Sequence, residues 1–361
     1  MDIQPISSWK VIKNLPFAIA GPCSAETEEQ LYTTCKGIKE LDITMLRAGI
    51  WKPRTRPGQF EGVGEVGLQW FQKIKKELEM PACVEVATAK HVELALKYDM
   101  DVLWIGARST VNPFTVQEIA DALRGVDIPV MVKNPINPDL ALWKGSIERI
   151  YQAGITQIAG IHRGFSSFEK TKYRNVPMWQ LAIAMKSDLP TLPMICDPSH
   201  IAGNRELLLP VSQKAIDLNY DGLMIETHCN PSVAMSDAKQ QVTPAGLKDI
   251  LDAIKIRQVS SDNMEFNSIL QTMRNQIDEV DREILENLAT RQSMVDKLGE
   301  YKKDNNVTVF QANRWLEVFK TRVDWGKQLN LDDEFIGKFF KVVHDEAIKR
   351  QSSIMNKENV E

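Results

Sequence analysis

Residues 47–57 read RAGIWKPRTRP and follow an apolar run at 43–46 that is typical of a buried strand. The stretch places four cations within ten residues and ends in a Pro-Gly turn. A solvated basic loop is one interpretation of such a charge density. Three further apolar runs also end on a cation, which instead favours several strand ends that converge on a site for anionic ligands. The cations that end these three runs are Arg108, Lys133 and Arg163.

Short apolar runs alternate with longer helix-like segments between residues 16 and 257. The runs lack a period of two, which indicates strands buried on both faces of a parallel sheet. Eight such units in about 240 residues predict an α/β fold of the (β/α)8 TIM barrel class, whose active site lies at the carboxyl ends of the strands. A doubly wound open sheet is the alternative, but no Gly-rich dinucleotide-binding motif follows an early run. The predicted strands are 17–20, 44–48, 82–87, 102–105, 130–132, 157–161, 194–196 and 222–225. The predicted helices include 28–39, 67–78, 89–98, 116–124, 146–153, 176–186, 205–218 and 244–256.

The composition changes after residue 257, where a polar segment begins and strand signals almost vanish. Apolar residues then recur at helical spacing from residue 270 to about residue 303. Two further helices are predicted at 311–328 and 332–351, the second with acidic residues in its first turn. The chain is therefore predicted to contain a barrel at 1–257, a linker at 258–264 and a small all-α domain at 265–361.

The bulk composition is that of an ordinary soluble globular protein, with 25% charged and 43% hydrophobic residues. A net charge of −4 argues against a nucleic-acid or membrane partner. No stretch reaches the about 18 consecutive apolar residues of a membrane span, and the N-terminus lacks a targeting pattern. Five cysteines without close pairs do not form a disulfide framework. We therefore predict a cytoplasmic location.

Four side chains at the ends of the first, seventh and eighth strands form a candidate metal site. Cys23 ends the first run, His200 follows the seventh, and Glu226 and Asp237 follow the eighth. These strands become neighbours when a barrel closes. One sulfur, one nitrogen and two carboxylates suit Mn²⁺, Co²⁺, Fe²⁺ or Zn²⁺ better than Mg²⁺ or Ca²⁺. We predict one divalent ion per barrel, with Mn²⁺ as the first candidate. His228 is an alternative nitrogen ligand, and each residue alone also has a purely structural interpretation.

A second group of six cations comes from the strands between these. Such a group beside a divalent ion repels itself unless it binds anions, which predicts small substrates that carry several negative charges. In the alternative interpretation, half of the cations pair with local carboxylates such as Glu85 and Glu61. The six are Arg47, Lys52, Arg54, Arg108, Lys133 and Arg163.

Six motifs occur in a fixed order along the barrel region: GPCS at 21–24, KPRT at 52–55, IGAR at 105–108, RG at 163–164, DPSH at 197–200 and ETH at 226–228. Together they resemble the 3-deoxy-D-arabino-heptulosonate 7-phosphate (DAHP) synthase family, in its short type I form close to the 3-deoxy-octulosonate 8-phosphate synthases. The resemblance covers about residues 10–257. KPRT is its most specific motif, because the octulosonate relatives carry a different tetrapeptide there.

This resemblance implies condensation of phosphoenolpyruvate with erythrose 4-phosphate and release of phosphate, at the entrance to aromatic biosynthesis. It implies that the four candidate ligands bind the metal, and that Lys52 lies between the two substrates, where it is the candidate for proton delivery. It assigns phosphoenolpyruvate to Arg47, Lys52, Arg108, Lys133 and Arg163, and the sugar phosphate to Arg54 and Thr55.

Two cations, Arg291 and Lys302, interrupt the apolar stripe of the long predicted helix. A cation on a buried face costs several kcal/mol unless it is paired, which indicates an anion held within a helical bundle. Each side chain can instead extend to solvent. Arg274 lies 17 residues before Arg291, or about 26 Å along a helix, so it can reach such a site only in a partner chain.

Residues from about 264 to 351 resemble the all-helical chorismate mutase family, whose members are intertwined dimers. The resemblance implies rearrangement of chorismate to prephenate, a homodimer or higher assembly through the helical domain, and a role for Arg274 in the partner's site. The sequence departs from the family at Gln311, where Asp is frequent, at Trp315, where a Glu usually contacts the substrate, and at Ala347, where Ser is common. The matching positions are Arg274, Arg291, Lys302, Arg314 and Gln351.

The leading interpretation is a bifunctional enzyme whose barrel is inhibited by prephenate or chorismate bound to the helical domain. In a second interpretation the helical domain is only a dimerising sensor. In a third interpretation the barrel uses a different sugar, arabinose 5-phosphate or an aminosugar, as in a 3-deoxy-octulosonate 8-phosphate synthase. The KPRT motif argues against this interpretation. A nonenzymatic metal-binding scaffold is the most distant alternative, because it leaves the six cations unexplained.

Overall fold

A computed structural model of the chain contains a closed barrel of eight parallel strands. The structure describes residues 1–12, 15–41, 43–52, 58–168, 170–258 and 260–356. Each strand pairs with the next along the chain, and the first pairs with the last. The predicted TIM barrel is therefore confirmed, and the open-sheet alternative is wrong. The strands are β1 (Phe17–Gly21), β2 (Met45–Ala48), β3 (Ala82–Val86), β4 (Val102–Ile105), β5 (Val130–Lys133), β6 (Ile158–His162), β7 (Met194–Cys196) and β8 (Gly222–Glu226).

The strand side chains divide between two apolar layers. One layer fills the space between the sheet and the surrounding helices, and the other fills the barrel interior with residues such as Ile19, Trp104 and Met224. Ile6 and Trp9, from the N-terminal segment, join the interior layer. Burial on both faces explains why the strands appear in the sequence as continuous apolar runs.

The described residues of the barrel contain ten helices, of which α4 and α8 were not predicted. Each follows a strand directly and spans about one turn, which is too short to produce a helical period in the sequence. They carry Arg108 and His200, so both residues lie in helices at the carboxyl ends of strands. The barrel helices are α1 (Glu28–Lys39), α2 (Glu65–Leu78), α3 (Ala89–Lys97), α4 (Ala107–Thr110), α5 (Pro113–Ala122), α6 (Leu140–Gln152), α7 (Trp179–Asp188), α8 (Pro198–Ala202), α9 (Leu208–Asp217) and α10 (Pro244–Ala253).

Capping residues explain why several helices begin before the predicted position. The side chains of Asn112 and Asp139 accept hydrogen bonds from backbone N–H groups in the first turns of α5 and α6. Such caps satisfy donors that have no partner within the helix, so α5 and α6 begin directly after Asn112 and Asp139. The predicted starts at 116 and 146 are therefore three and six residues late.

The rest of the chain forms a second compact unit, Ser260–Glu361, distinct from Met1–Val259. It is all helical, as predicted. Its first helix begins six residues before the predicted position 270, because Asn263 caps it by accepting a hydrogen bond from the Phe266 N–H at 3.0 Å. Among the described residues, no helix is both long and apolar enough to cross a membrane. The helices are α11 (Met264–Asp304), α12 (Ala312–Gln328) and α13 (Asp333–Met355).

Candidate functional site

The pairing of β1 with β8 brings three predicted ligands together at the carboxyl ends of the strands. Gly21 is the register partner of Glu226, so Cys23 emerges beside that carboxylate. The Cys23 Sγ lies 3.4 Å from an Oδ of Asp237, and one ligand atom from each of the three residues lies within 4.8 Å of the others. Glycine at position 21 lets β1 lie close to β2, because a Cβ there would collide with the carbonyl oxygen of Arg47.

His200 lies beside the two carboxylates of this group. Its Nε2 is 3.8 Å from Glu226 Oε1 and 4.0 Å from Asp237 Oδ2, and its Nδ1 is 2.8 Å from Asp197 Oδ2. Asp197 also caps α8 by accepting a hydrogen bond from the His200 N–H. A carboxylate beside the second ring nitrogen is the usual arrangement around a histidine that binds a metal.

His228, the alternative nitrogen ligand, has different neighbours. Its Nε2 lies 3.5 Å from a carboxylate oxygen of Glu26, and its Nδ1 accepts a hydrogen bond from the Asn230 N–H. Its two nitrogens therefore face the loop after β8 and the segment after β1.

The donor atoms of the Cys23 group fit a divalent cation. Glu226 Oε1 is buried and accepts no hydrogen bond from any residue in the described part of the chain. Burial, and then the nearby Glu226 carboxylate, raise the pKa of the Cys23 thiol to about 12. A thiol in this position ionises when a cation displaces its proton, and a sulfur with two carboxylates suits a borderline divalent metal.

Two of the six predicted substrate-binding cations are held in buried ion pairs. Arg47 Nη2 lies 3.4 Å from Glu226 Oε1, and Lys133 Nζ lies 2.7 Å from Asp197 Oδ2. Both cations lie over the ring of Trp104, at 4.9 and 5.8 Å from its centroid. The paired-cation alternative therefore applies to these two residues, although their partners are residues of the site itself and not the predicted Glu85 or Glu61.

Lys52 faces the metal-ligand group directly. Its Nζ donates hydrogen bonds to the Sγ of Cys23 at 3.0 Å and to the Cys23 carbonyl oxygen at 3.1 Å. Burial lowers the pKa of Lys52, but its interaction with Cys23 and then with the Glu226 carboxylate outweighs burial, so the pKa is raised. The side chain is therefore an ammonium ion at neutral pH.

The other predicted cations differ in how deeply their side chains are buried. Arg163 follows β6 and is buried, and its Nη1 donates to Asn175 Oδ1 at 2.7 Å. Burial lowers the pKa of Arg163 to about 10, so the guanidinium keeps its charge at neutral pH. Arg108 is exposed in α4. The predicted sugar-phosphate ligands Arg54 and Thr55 lie outside the described residues.

Two polar residues that the sequence analysis missed connect the ligands of this group. Arg174 Nη1 lies 3.0 Å from Asp237 Oδ1 and donates to Gln240 Oε1 at 2.6 Å, and Gln240 Nε2 donates to Glu226 Oε2 at 2.7 Å. Burial raises the pKa of Asp237, but the neighbouring His200 and then Arg174 hold it below its ordinary value. Arg174 lies in the loop before α7, and Gln240 lies in the loop after β8. Neither residue directly follows an apolar run, so the pattern that indicated the other site residues did not indicate these two.

The second unit contains polar atoms directed into a helical interior. Arg291 Nη1 and Gln351 Oε1 are buried and have no hydrogen-bond partner within residues 260–356 or elsewhere in the described chain. Lys302 Nζ donates to the carbonyl oxygen of Val309 at 2.6 Å. These three predicted residues lie on α11 and α13, which pack against each other. Unpartnered buried groups of this kind indicate a site for a polar ligand.

The two other predicted residues of this unit lie on its surface. Arg274 is exposed on α11, and Arg314 is exposed on α12, where its Nη1 lies 2.7 Å from an oxygen of Glu317. Arg274 lies 17 residues before Arg291 on α11, about 26 Å along the helix, so a single chain does not bring it to Arg291.

The three positions that depart from the mutase pattern have distinct surroundings. Trp315 stacks on the ring of His344, with centroids 4.1 Å apart and planes inclined by 21°. Ala347 is buried on α13, and its carbonyl oxygen accepts a hydrogen bond from Gln351 Nε2. Gln311 precedes α12 without a side-chain capping bond.

Comparison with known proteins divides the chain in the same way. Residues 12–261 match the DAHP synthetase I family, and residues 273–352 match chorismate mutase type II. The chain is 32% identical to a phospho-2-dehydro-3-deoxyheptonate aldolase of Thermotoga maritima over 66% of this chain and 68% of that protein. It is 27% identical to a 2-dehydro-3-deoxyphosphooctonate aldolase of Variovorax paradoxus, over 71% of this chain and 95% of that protein. A crystal structure of the Thermotoga maritima aldolase (DAHP synthase) gives a TM-score of 0.60 at 31% identity, over 65% of this chain and 67% of that one.

Proposed function

This chain belongs to the DAHP synthetase I family and carries a type II chorismate mutase region, and we propose that it catalyses both reactions. The barrel condenses phosphoenolpyruvate with erythrose 4-phosphate to DAHP and phosphate, and the helical unit converts chorismate to prephenate. The observation that carries the barrel assignment is the Cys23, Glu226 and Asp237 group, which lies at the same strand ends as Lys52 and Arg47. We further propose the domain limits 1–257, 258–264 and 265–361 and a cytoplasmic location.

We propose Cys23, His200, Glu226 and Asp237 as the metal ligands. The Nε2 of His200 lies near both carboxylates, whereas His228 faces Glu26, which favours His200 as the nitrogen ligand. Mn²⁺ is the first candidate, with Co²⁺, Fe²⁺ and Zn²⁺ as alternatives. When bound, the ion supplies a Lewis acid that polarises the aldehyde oxygen of the sugar.

The cations hold the enol phosphate and prepare it for attack. Because Glu226 and Asp197 fix Arg47 and Lys133, those two cations are oriented before the substrate arrives, and fixed charges of this kind stabilise a transition state efficiently. The proposed ligands of phosphoenolpyruvate are Arg47, Lys52, Arg108, Lys133 and Arg163, and those of the sugar phosphate are Arg54 and Thr55.

Lys52 is the proposed proton donor. When C3 of phosphoenolpyruvate bonds to the aldehyde carbon, the aldehyde oxygen becomes a hydroxyl and takes a proton from the Lys52 ammonium. Water adds to C2 and loses one proton to the neutral Lys52 amine. The bond between C2 and the bridging oxygen then breaks, C2 becomes a carbonyl, and phosphate leaves with the second proton of that water. The raised pKa of Lys52 keeps this proton available at neutral pH.

The choice of sugar tests the barrel assignment against the octulosonate alternative. Phosphoenolpyruvate consumption is followed with erythrose 4-phosphate and, separately, with arabinose 5-phosphate, and the released phosphate is measured. We expect one phosphate per phosphoenolpyruvate with erythrose 4-phosphate and little consumption with arabinose 5-phosphate. Equal rates with both sugars would contradict the assignment.

The mutase reaction needs a shaped cavity with fixed cations and no covalent chemistry. Chorismate is a dicarboxylate, and charge develops on its ether oxygen as the ring rearranges. Arg291 and Gln351 each carry a buried polar atom without a hydrogen-bond partner among the described residues, which supports their role as ligands of this dianion. The proposed catalytic residues are Arg291, Lys302, Arg314 and Gln351 of one chain with Arg274 of its partner.

A homodimer through α11 is part of this proposal. The helix exposes about half of the surface of each apolar residue in a stripe of three- and four-residue spacing. An apolar stripe of this length favours pairing with another apolar surface. A partner's α11 also supplies the Arg274 that one chain cannot bring to Arg291. The stripe contains Ile269, Met273, Ile277, Val280 and Ile284.

Replacement of Ile277 by aspartate is expected to break the dimer. Two buried copies of the new charge repel each other at the interface, so the mass measured by light scattering should fall to that of one chain, with loss of mutase turnover. The matched control is Asn275→Asp, which places the same charge on nearly the opposite face of α11. If both variants remain dimers and keep their mutase turnover, the interface does not lie on this stripe.

Prephenate is expected to inhibit the barrel. Binding at the helical unit can change synthase activity only if the protein has two states with different affinities for prephenate. Synthase rates are measured over a prephenate titration in the wild type and in Arg291→Gln, in which the effector site is weakened. No inhibition of the wild type at saturating prephenate would exclude this regulation.

A further inference from the structure

Trp315 and His344 form a stacked pair in the helical unit that the family resemblance does not explain. Their ring centroids are 4.1 Å apart, and the ring of Phe310 meets His344 edge-on at 6.2 Å. Two aromatic neighbours fix the orientation of the imidazole ring. Its Nε2 is nevertheless buried without a hydrogen-bond partner in the part of the chain that the structure describes.

Contacts between α11 and α13 place His344 level with Arg291. Arg350 Nε donates to Asp296 Oδ1 at 2.8 Å, and a Cβ at Gly299 would lie 3.3 Å from the Gln351 side chain. The contact nearer the start of α11 is also the one nearer the start of α13, so the two helices are parallel. His344 lies two turns before Gln351 on α13, and Arg291 lies about two turns before Gly299 on α11.

His344, Arg291 and Gln351 therefore face one interior region, and each presents a buried polar atom that has no hydrogen-bond partner in residues 260–356 or elsewhere in the described chain. Lys302 joins this region from the side of Val309, whose neighbour Phe310 contacts the His344 ring. A buried polar atom left unpaired costs about 1–3 kcal/mol, and three such atoms together indicate a ligand that pairs with them.

The electrostatic surroundings keep the imidazole neutral. Burial, and then the positive charges of Arg291 and Lys302, lower the pKa of His344, while Asp345 opposes the shift. A neutral imidazole has one nitrogen that donates and one that accepts a hydrogen bond. It complements the neighbouring cations, which only donate.

We propose that His344 is a substrate-contacting residue of the mutase site, and that its Nε2 binds the ring hydroxyl of chorismate. The inference rests on the proposed mutase function. The carboxylates and the ether oxygen of chorismate suit Arg291, Lys302 and Gln351, which leaves the hydroxyl as the group for a neutral imidazole. Trp315 stands where the family has a substrate-contacting Glu, and its ring stacks on His344.

The test compares His344→Phe with His344→Gln in the full-length protein. Phenylalanine keeps a ring that stacks on Trp315 but removes the nitrogen, whereas glutamine places an amide near the position of Nε2. We expect kcat/KM for chorismate to fall about 10- to 100-fold in His344→Phe and to recover in part in His344→Gln. Lys349→Gln, exposed on the same helix, is the control with unchanged turnover.

A chorismate analogue without the ring hydroxyl separates contact from packing. Loss of the hydroxyl should slow the wild type by a similar factor and slow His344→Phe no further, because both changes remove the same interaction. If loss of the hydroxyl slows the wild type and His344→Phe by the same factor, or if kcat/KM is unchanged in His344→Phe, the assignment of His344 is wrong. Either result leaves the proposed mutase function standing. Absence of chorismate turnover in the wild type would overturn the mutase function and this assignment with it.

Discussion

Replacement of Cys23 by serine is expected to lower phosphoenolpyruvate consumption by more than about 100-fold, because loss of even an outer partner of a metal ligand costs about 10- to 100-fold. Serine has nearly the same shape as cysteine, but its hydroxyl is a poor ligand for a borderline metal. The thiol also contacts Lys52 Nζ at 3.0 Å and Asp237 at 3.4 Å, so the substitution changes the surroundings of the proposed proton donor. Mutase turnover should stay unchanged, because Cys23 belongs to the other compact unit.

Cys229→Ser is the matched control for this experiment. Cys229 follows β8 at the same edge of the barrel, and it lies outside the group of ligand atoms around Cys23. Bound metal is measured in both variants along with activity. The control should keep its metal and its rate. Full activity of Cys23→Ser with bound metal would contradict the assignment of the thiol as a ligand.

Replacement of Arg291 by glutamine is expected to lower chorismate turnover about 100- to 1,000-fold, the usual loss when one preorganised donor to a developing charge is removed. The Nη1 of Arg291 is buried and has no hydrogen-bond partner in the described residues, so it is available to an anion. Burial, and then the neighbouring Arg322, lower the pKa of Arg291, which increases the benefit of a bound dianion. The dimer should persist, since the substitution leaves the exposed stripe of α11 intact.

Arg282→Gln is the control for Arg291→Gln, because Arg282 is an exposed arginine on the same helix. It should keep wild-type turnover. The experiment also separates the two interpretations of the helical unit. Prephenate inhibition of the barrel without any chorismate turnover in the wild type would support a dimerising sensor and contradict a mutase.

The barrel could be predicted closely because its strands are buried on both faces. Each predicted strand agrees with the structure within one residue at either end, since an apolar run ends where the chain leaves the barrel wall. Closure of the barrel follows from the count of eight units. It places Glu226 opposite Gly21 and thus beside Cys23, as the order of strands predicted.

Contacts that depend on loops could not be predicted in the same way. Arg174 and Gln240 reach the ligand carboxylates from segments without periodicity, so nothing in the sequence indicated their positions. The one-turn helices α4 and α8 are too short to show a pattern. The partners of Arg47 and Lys133 are distant in sequence, and only the fold identifies them as Glu226 and Asp197.

In the helical unit, the apolar spacing predicted the helices and identified Arg291 and Lys302 as unusual. It did not single out His344, because one histidine on a helix has no distinctive spacing. Its stacking on Trp315 depends on how α12 and α13 pack. The proposed place of Arg274 depends on a second chain, which the sequence of one chain does not describe.

Removal of the metal tests the proposed centre at the carboxyl ends of the barrel strands. The protein is stripped with a chelator, and phosphoenolpyruvate consumption with erythrose 4-phosphate is measured before and after Mn²⁺ is returned, with chorismate turnover measured in the same samples. We expect stripping to abolish consumption, Mn²⁺ to restore it, and chorismate turnover to be the same in all samples. Full consumption of phosphoenolpyruvate by the stripped protein would contradict a metal centre at Cys23, His200, Glu226 and Asp237.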